Sequence, residues 1–529
     1  MEPTEFKNEP PLDFAIPKTR KVFADGILAI QTALSKGAFQ VKPIFLGKEQ
    51  AGEDSYRHLC PSHSSLTVAE IQLAGEKLTK LIIKDQQATL QDGWSKLPPN
   101  SRSKIIKQAA DILRQERLRL AAIIVYEAGK SWREADADVV EAIDFCEYYA
   151  AWIDQYGHPR KLFNLPGEQN TQIYFGRGNA VVISPWNFPL AIACGMTVAA
   201  LIAGNRVVFK PAAQGSLIGY EFSKILLEAG VPPSAITFLP GRGDTVGDML
   251  VRSPNTNIIL FTGSKEVGLS MIEKASQTLD HQFHVKKVIA EMGGKNAIIV
   301  DEDADQDEAI KAILQSAFSY AGQKCSACSR LIIVGDIYAS FCERLSQAAD
   351  SLICGPAEDP GNFFGPVIDQ KAQARIAKII EKNEKIFSVA HKGKPPSGGS
   401  FVPSLIFTDV TEESELWNEE IFGPVLAVRQ APDFESAVKI ANRSQYALTG
   451  GVFSRSISNI ELAKQTFEVG NLYINRGCTG AIVGRQPFGG FKLSGVGSKA
   501  GGGDYLLQLI ETKVICENTT RRGFSPELV

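Results

Sequence analysis

The sequence predicts an α/β protein built on parallel sheets. From residue 179 onward, short apolar segments alternate with helical ones: NAVVIS precedes PLAIACGMTVAALIAG, and NRVVFK precedes GSLIGYEFSKILLEAG. Short strands that are apolar throughout are typical of a parallel sheet covered by helices on both faces. A second alternating block is expected to begin near residue 285 with KKVIAE and NAIIVDED and to run to about residue 490. Such sheets bind ligands at the carboxyl ends of their strands.

The changes of period along the chain predict a division into several parts. Residues 160–178 alternate apolar and polar side chains, and the tail contains a further strand pattern, YLLQLIETKVICENTT. Exposed strands need a partner, so we expect a homodimer or a higher homo-oligomer to form through them. The expected parts are an N-terminal arm, 1–50; a Rossmann-like dinucleotide-binding domain, 51–159 and 179–288; a second, catalytic α/β domain, 289–495; and a small β oligomerisation ribbon with the tail, 160–178 and 496–529.

Composition excludes several classes of protein. The chain has 529 residues and a formal net charge of −3, so no overall positive field attracts nucleic acid. The N-terminus is acidic and proline-rich and has no targeting pattern. The longest apolar run, residues 190–204, is shorter than a membrane span. Nine cysteines without a framework spacing fit a reducing compartment, and we expect a cytoplasmic protein without membrane or nucleic-acid partners.

A glycine turn in FTGSKEVGLS follows a predicted strand and begins a helix. Gly263 and Gly268 have the spacing of a Walker A loop, but Leu269 replaces the lysine that would reach a phosphate, which argues against ATP. The free N–H groups of a helix N-terminus still suit a pyrophosphate, and the Ser264 hydroxyl would add a donor. The agreement of strand, turn and helix favours a nucleotide over a plain loop.

Two further features near predicted strand ends are ambiguous by themselves. LPGRGDTVG also follows a strand, but its glycines miss the G-x-G-x-x-G spacing, which favours a tight loop. Lys210 ends the strand NRVVFK, where its ammonium could reach ribose hydroxyls or a phosphate. A solvated lysine at a strand end is the equally good alternative.

The stretch SYAGQKCSACSR places two cysteines three residues apart and allows three interpretations. Cys325 and Cys328 could form a redox pair. They could supply half of a zinc site, but no second ligand pair occurs in the sequence, so we expect no metal. The favoured interpretation is a single nucleophile, Cys325, exposed after a turn and stabilised as a thiolate by nearby N–H groups. Cys328 is then a small buried hydrophobic residue.

A thiolate that attacks a carbonyl needs partners, and the sequence offers two. The oxyanion requires donors, and Asn187 in SPWNFP could supply a side-chain amide; a cap on the following helix is the alternative. Hydrolysis of an acylated cysteine requires a base, and Glu291 follows the apolar strand KKVIAE, where burial would raise its pKa. An ion pair with Lys295 is the alternative for Glu291.

The full set of motifs resembles the aldehyde dehydrogenase superfamily over nearly the whole chain. SPWNFP, KPA, FTGSKEVG, EMGGKN, GQKCSACSR, EEIFGPV and PFGGFKLSG occur in the order and spacing of that family. The resemblance implies that Cys325 attacks an aldehyde, that Asn187 and the Cys325 N–H hold the oxyanion, and that Glu291 activates water. It also implies an NAD site formed by Ser184, Trp186, Lys210, Gly243, Gly263, Ser264, Gly268, Glu420 and Phe422.

A narrower resemblance is to the 1-pyrroline-5-carboxylate dehydrogenase family, which oxidises L-glutamate γ-semialdehyde to L-glutamate in proline catabolism. It rests on FKNEPPLDFAIP, EAIDFCEYYA, GQKCSACSR and NRGCTGAIVGRQPFGG. Ser326 and the N–H groups of Gly480 and Ala481 would hold the substrate carboxylate, because only small side chains allow such close backbone approach. Phe488 would pack on the aliphatic stem, and Glu141 is placed near the site by the resemblance alone.

The sequence departs from the family pattern at Ala213, where members often carry a glutamate that bonds the adenosine ribose. Its absence leaves NADP open beside NAD. Only the arm precedes the family pattern, so we expect no proline dehydrogenase part like that of the fused relatives; a proline dehydrogenase is a possible partner. Three alternatives remain at this point: a dehydrogenase for another semialdehyde such as succinate semialdehyde, a thiol oxidoreductase using Cys325 and Cys328, and a non-catalytic protein with this fold.

Overall fold

Helices and short strands alternate along most of the chain in the computed structural model, which describes residues 6–88 and 93–520. The helices are α1 Pro17–Lys36, α2 Glu76–Ala88, α3 Gly93–Lys96, α4 Pro99–Gln115, α5 Arg117–Ala128, α6 Trp132–Tyr156, α7 Ala191–Ile202, α8 Ser216–Glu228, α9 Asp248–Arg252, α10 Lys265–Ser276, α11 Gln306–Phe318, α12 Tyr338–Ala349, α13 Gln370–Asn383, α14 Glu415–Asn418, α15 Phe434–Asn442 and α16 Ile457–Thr466. The strands are β1 Phe39–Val41, β2 Ile44–Phe45, β3 Lys48–Glu49, β4 Asp54–Leu59, β5 Thr67–Leu73, β6 Arg160–Lys161, β7 Glu168–Gly176, β8 Asn179–Ile183, β9 Arg206–Lys210, β10 Ile236–Phe238, β11 Ile258–Thr262, β12 Lys287–Glu291, β13 Asn296–Val300, β14 Cys328–Val334, β15 Ser388–Lys392, β16 Leu405–Thr408, β17 Val425–Ala431, β18 Tyr446–Ala447, β19 Thr449–Phe453, β20 Asn471–Ile474, β21 Phe491–Lys492, β22 Gly495–Val496 and β23 Ile510–Asn518.

The first sheet has eight strands in the order β22-β12-β11-β8-β9-β10-β2-β3. Its five central strands are parallel, whereas β22, β2 and β3 are antiparallel additions at the two edges. All five side chains of β8 are buried, because helices cover both faces of a parallel sheet. The strands and helices that the sequence predicts between residues 179 and 276 are confirmed.

The second sheet has seven strands in the order β15-β16-β17-β14-β13-β19-β20, and only β15 is antiparallel to its neighbour. The expectation that KKVIAE belongs to this second block is wrong. Strand β12 pairs with β11 in the first sheet, and β13 is the first strand of the second sheet. The polar linker before β12 does not change sheets; the chain crosses between them in residues 292–295.

A separate antiparallel ribbon joins two distant segments of the chain. Strand β7 pairs with β23 over nine residues, from Gly176 opposite Ile510 to Glu168 opposite Asn518, and β6 adds to its other edge. Both segments are therefore strands, as predicted, although Gly503–Leu509 forms a 3₁₀ helix instead of the start of the tail strand. The last part of the predicted tail, residues 521–529, lies outside the described residues.

The described part of the N-terminal arm is bound to the body of the protein. Helix α1 buries Phe23, Ile27, Ile30 and Leu34, which gives it one apolar face. Before it, Asn8 and the Glu9 N–H both donate to the Asp144 carboxylate on α6, at 2.8 and 2.7 Å.

The apolar run at 190–204 forms the buried helix α7. Among residues 6–88 and 93–520, none of the helices has the length and apolar character that a membrane crossing requires.

A buried ion pair joins Lys130, just before α6, to Asp138 on α6, and Asp138 in turn contacts the start of α7. Lys130 Nζ lies 2.9 Å from Asp138 Oδ2, and both side chains are completely buried. The other carboxylate oxygen of Asp138 accepts the Ala191 N–H at 2.6 Å. The ammonium also lies 3.7 Å from the centre of the Phe188 ring. These contacts fix the segment that contains Asn187.

Breaking this ion pair on one side should be costly. We expect Lys130→Met to lower the free energy of unfolding by about 3–5 kcal/mol, because it leaves the Asp138 charge buried without a counter-ion. The double variant Lys130→Met with Asp138→Asn removes that charge and keeps an acceptor for the Ala191 N–H, so it should recover at least half of the loss. Urea denaturation followed by fluorescence measures both, and equal losses in the single and double variants would contradict this account.

Candidate active site

A cavity of about 370 Å³ lies at the carboxyl ends of three strands of the first sheet and is closed from the opposite side by the second-sheet half of the chain. Segments that follow β8, β11 and β12 supply one wall, and the turn before β14 and the loop before β17 supply the other. The lining residues are Pro185, Trp186, Asn187, Ile192, Thr262, Gly263, Ser264, Glu266, Met292, Gly293, Cys325, Arg375, Glu419, Glu420, Phe422 and Tyr446.

Cys325 lies in this cavity at the end of a strained turn. The two residues Tyr320 and Ala321 have left-handed backbones, with φ of 52° and 53°. Each such non-glycine residue costs roughly 1 kcal/mol or more, so the surrounding packing must enforce the turn. Cys325 is partly exposed, whereas Cys328 is buried as the first residue of β14. The two thiols therefore have different environments although they are three residues apart.

The ionisation state expected for Cys325 is corrected by the structure. Burial raises the pKa of the Cys325 thiol well above its usual range, and the carboxyl groups of Glu420 and Glu291 raise it further. The N–H groups of Ser326 and of Cys325 itself act in the opposite direction and lower the pKa. The prediction of a stabilised thiolate at Cys325 rested on the N–H groups alone. In this structure the neutral thiol is favoured, because burial and two carboxyl groups outweigh those donors.

Asn187 is buried beside Cys325 and is oriented by the nucleophile turn. Its Nδ2 donates to the carbonyl of Gln323 at 3.0 Å. An amide carries two N–H donors, so the second can reach a ligand in the cavity. The alternative role as a helix cap is not adopted, because Leu190 is the N-cap residue of α7. Gln323 is itself held, since its Nε2 donates to the carbonyls of Tyr320 and Pro366, both at 3.2 Å.

Glu291 ends β12 near Cys325 and turns its side chain toward the segment before β21. A carboxylate oxygen accepts the Gly490 N–H, while Oε2 is buried and has no hydrogen-bond partner within the described residues. Burial raises the pKa of Glu291 to about 8, against the Gly490 N–H and Lys499, which lower it. The raised pKa agrees with its position at the end of an apolar strand.

Glu420 and Phe422 line the cavity opposite the first sheet. Glu420 Oε1 accepts the Gly294 N–H at 3.0 Å, and burial raises the pKa of Glu420 to about 7. Phe422 has a left-handed backbone, with φ of 54°, and packs edge-on against Trp186 with ring centres 5.5 Å apart. The two aromatic rings, which contact each other, thus line one part of the cavity, and the Glu420 carboxyl group lies in the same cavity.

The predicted phosphate turn lies on the first-sheet side of the same cavity. Ser264 is the N-cap of α10, and its Oγ accepts the Val267 N–H at 3.4 Å. Gly263 lines the cavity. Gly268 does not line it; a Cβ there would lie 2.5 Å from Met292 Sδ, so this glycine allows α10 to pack against the chain after β12. Gly268 therefore supports the turn through packing.

The remaining cofactor candidates surround the ends of β8, β9 and β10. Lys210 is buried, and burial lowers its pKa to about 8. Ser184 is buried, and its Oγ has no hydrogen-bond partner in the part of the chain that the structure describes. Gly243 begins the π-helical turn Gly243–Gly247, and no atom lies within 4 Å of the position of a Cβ at Gly243. An unpaired hydroxyl, a buried ammonium and an open glycine fit a polar, anionic ligand such as a dinucleotide.

The five candidate substrate residues do not line the cavity described above. Burial, and then Asp138, raise the pKa of Glu141 on α6 to about 8. Ser326 is buried, and its carbonyl accepts the Cys478 thiol at 3.4 Å, which ties the loop containing Gly480 and Ala481 to the nucleophile segment. Gly480 has a φ of 75°. Phe488 exchanges two backbone hydrogen bonds with Ala500, both of 2.8 Å.

No cluster of three His, Cys, Asp or Glu side chains in residues 6–88 and 93–520 could hold a metal ion.

Sequence reasoning missed several residues that shape the site. Arg375 on α13 and Tyr446 line the cavity, and neither lies in a motif. Asn296 ends the motif EMGGKN, yet only the structure reveals that its amide bonds the carbonyls of Cys325 and Ala327. Its place at the end of a motif that includes Glu291 was the available signal.

Comparisons with known proteins agree with this architecture. The model of the aldehyde dehydrogenase family matches residues 48–515. The 1-pyrroline-5-carboxylate dehydrogenase of Geobacillus sp. (strain WCH70) is 43% identical over 514 residues, covering 97% of this chain and 99% of the relative. The crystal structure of 1-pyrroline-5-carboxylate dehydrogenase from Thermus with bound NAD is 39% identical, with a TM-score of 0.93, and covers 98% of this chain and all of the other.

A second solved structure is of a longer protein. Proline utilization A from Bdellovibrio bacteriovorus is 45% identical, with a TM-score of 0.96 over 99% of this chain. The present chain spans about half of that protein, 54% of its length. The family model and the near-complete coverage of the shorter relatives lead to one conclusion. The chain belongs to the aldehyde dehydrogenase family.

Proposed function

We propose that the chain oxidises L-glutamate γ-semialdehyde to L-glutamate with NAD as cofactor, in proline catabolism. The observation that carries the reaction is that Cys325, Asn187 and Glu420 line one cavity at the strand ends of the first sheet. The substrate is proposed from the relatives, which match over nearly their full length and are named 1-pyrroline-5-carboxylate dehydrogenases.

The first step is the attack of the Cys325 sulfur on the aldehyde carbon. The aldehyde oxygen becomes an oxyanion, which the second N–H of Asn187 and the backbone N–H of Cys325 would stabilise by hydrogen bonds. The Asn187 side chain is already oriented for this role by its bond to Gln323, which reduces the entropy lost on binding. As the C–S bond forms, the thiol proton passes from the sulfur to the aldehyde oxygen, so the product is a neutral thiohemiacetal on Cys325.

NAD, when bound, supplies the hydride acceptor that converts this adduct to a thioester. Trp186 and Phe422 would pack against the nicotinamide, and Glu420 would bond its ribose. Ser264 and the N-terminus of α10 suit the pyrophosphate, since free N–H groups there favour anions. Ser184, Lys210 and Gly243 would bind the adenosine end. Ala213 begins the 3₁₀ turn before α8, and its methyl group does not repel a 2′-phosphate, which keeps NADP as the second candidate.

Glu291 then hydrolyses the thioester. Its ionised carboxylate takes a proton from water, and the resulting hydroxide attacks the thioester carbon. The C–S bond then breaks, the acid leaves, and the proton on Glu291 passes to the Cys325 thiolate. A raised pKa suits this role, because a base is most effective when its pKa is near the working pH. The unpaired Oε2 of Glu291 is the oxygen available for that water.

The charged end of the substrate is assigned to the segment after β20 and to α6. We propose that Ser326 and the N–H groups of Gly480 and Ala481 bind the α-carboxylate and that Phe488 packs on the aliphatic stem. Glu141, on α6, would face the α-ammonium. The Cys478–Ser326 hydrogen bond supports this assignment, because it holds the loop beside the residue that follows the nucleophile.

A homo-oligomer is proposed through the ribbon of β6, β7 and β23. Among the described residues, strand β23 has a strand partner on one edge only, and its Val514 and Ile515 side chains are 61% and 40% exposed. Phe163, between β6 and β7, is 89% exposed. Free strand edges with apolar side chains associate readily with a second copy. Contact with a proline dehydrogenase stays a prediction.

The substrate and cofactor proposals are tested in one assay of NADH or NADPH formation at 340 nm. We expect kcat/KM for glutamate semialdehyde to exceed that for succinate semialdehyde by at least tenfold, because only the former carries both an α-carboxylate and an α-ammonium. NAD should be preferred to NADP. A preference for succinate semialdehyde would overturn the substrate assignment.

The two cysteines are separated in the same assay. Cys325→Ser should abolish turnover, whereas Cys328→Ser should retain it. Loss of turnover in Cys328→Ser would favour the thiol oxidoreductase alternative.

Glu291 is tested by separating the two halves of the reaction. In Glu291→Gln we expect a burst of about one NADH per site and then almost no turnover, because the thioester forms and is not hydrolysed. In the unchanged chain, the release of acid after the burst should rise about tenfold per pH unit below pH 8 and level off above it, since the pKa of Glu291 is about 8 and its ionised form is the base. A flat pH profile, or sustained turnover in the variant, would show that another base acts.

The oligomer proposal predicts at least a dimer in sedimentation velocity of the full chain. Val514→Glu with Ile515→Lys should shift the species to monomer, because charged side chains at a strand edge oppose strand pairing. The matched control exchanges Ile457, which is 79% exposed on α16 outside the ribbon, for glutamate and should leave the mass unchanged. A monomer at micromolar concentration of the unchanged chain would contradict the proposal.

A further inference from the structure

The Asn296 side chain makes three buried hydrogen bonds at the base of the nucleophile turn. It is 3% exposed and is the first residue of β13. Its Nδ2 donates to the carbonyl of Cys325 at 2.7 Å and to that of Ala327 at 2.9 Å. Its Oδ1 accepts the Thr449 N–H from β19 at 3.0 Å. One amide thus connects the nucleophile to two strands of the second sheet.

The nucleophile segment needs these bonds because the strand ladder does not reach it. Strand β14 begins at Cys328, which pairs with Asn296, and the register then shifts so that Ala297 lies opposite Arg330. Residues 325–327 precede that ladder and receive no strand partner within the described residues. Buried carbonyls without hydrogen bonds are costly, and the Asn296 amide replaces the missing ladder bonds for two of them.

These bonds also determine which way one peptide unit faces. In a trans peptide the carbonyl and the N–H point in opposite directions. The Cys325 carbonyl belongs to the same unit as the Ser326 N–H. Because Asn296 holds that carbonyl on one side, the Ser326 N–H faces the other, where it reaches the Cys325 sulfur and lowers the pKa of the thiol.

We propose that Asn296 is a positioning residue that fixes the peptide unit between Cys325 and Ser326, so that the Ser326 N–H stabilises negative charge on the sulfur. The proposal rests on the proposed function in that Cys325 is the nucleophile. Its effect is larger in a buried site, because hydrogen bonds arranged in a chain polarise one another. The titratable groups that face the sulfur, Glu420 and Glu291, act in the opposite direction.

A neighbouring hydrogen bond provides a matched control. Thr449 Oγ1 donates to the Ser326 carbonyl at 3.3 Å, so it holds the next peptide unit of the same turn. The N–H of that unit belongs to Ala327 and donates to the Lys324 carbonyl at 3.0 Å, away from the sulfur. Thr449→Val therefore removes a buried bond from the turn without releasing the Ser326 N–H.

The test is the pH profile of alkylation of the full chain by iodoacetamide, followed at Cys325 by peptide mass spectrometry because other cysteines are accessible. In Asn296→Leu, which has a similar volume and no donors, we expect the rate of alkylation to fall about tenfold at every pH between 7 and 9, because the thiolate fraction falls tenfold when the pKa rises by one unit. Thr449→Val should follow the unchanged chain. The two carboxyl groups are present in all three proteins.

The outcomes separate this inference from the proposed function. An unchanged alkylation rate in folded Asn296→Leu, or an equal fall in Thr449→Val, would overturn the role of Asn296. If Asn296→Leu does not fold, Asn296→Ala is measured instead; it leaves room for a water that can bond both carbonyls, so a smaller fall in rate is expected, and an unchanged rate overturns the proposal. Aldehyde oxidation that persists after complete alkylation of Cys325 would overturn the proposed function, without affecting the profile.

Discussion

The active site depends on how the chain crosses from the first sheet to the second in residues 292–295. Glu291 ends a first-sheet strand and Asn296 begins a second-sheet strand, so the crossing places a carboxyl group and the nucleophile turn beside each other. The crossing requires glycine twice. A side chain at Gly293 would overlap the Glu420 carboxyl group, and a Cβ at Gly294 would lie 2.5 Å from the Cys325 carbonyl. Because both approaches are close, Cys325 and Glu420 line one cavity beside the crossing, and Glu291 ends its strand next to it.

The electrostatics of the site follow from that close packing. Three groups, Cys325, Glu291 and Glu420, have pKa values raised first of all by burial. Two carboxyl groups beside a thiol would repel a thiolate if both were ionised, and burial raises the pKa of all three groups, which disfavours the charged form of each.

The sequence was sufficient for the parts that local patterns determine. Short apolar runs predicted β8, β9 and β11, and the turn before Cys325 was found from its glycine and polar residues. The sheet that β12 joins was predicted wrongly, because a buried strand carries no mark of its neighbours. The ionisation of Cys325 was also predicted wrongly, since the carboxyl groups that oppose it lie 34 positions before it and 95 after it in the sequence. Asn296 was overlooked for the same reason: its partners at Cys325, Ala327 and Thr449 are distant in sequence.

Environment, more than spacing, distinguishes the two cysteines of CSAC. Cys328 begins β14, where its thiol is enclosed and contacts the Cys478 thiol. Cys325 precedes the ladder, where the backbone is free to present N–H groups to the sulfur. That freedom requires that the carbonyls be held elsewhere. Asn187 holds that of Gln323, and Asn296 holds those of Cys325 and Ala327. A reactive cysteine in this fold is thus made by side-chain amides that occupy the carbonyls around it, so that the N–H groups of the turn remain for the sulfur and for an oxyanion.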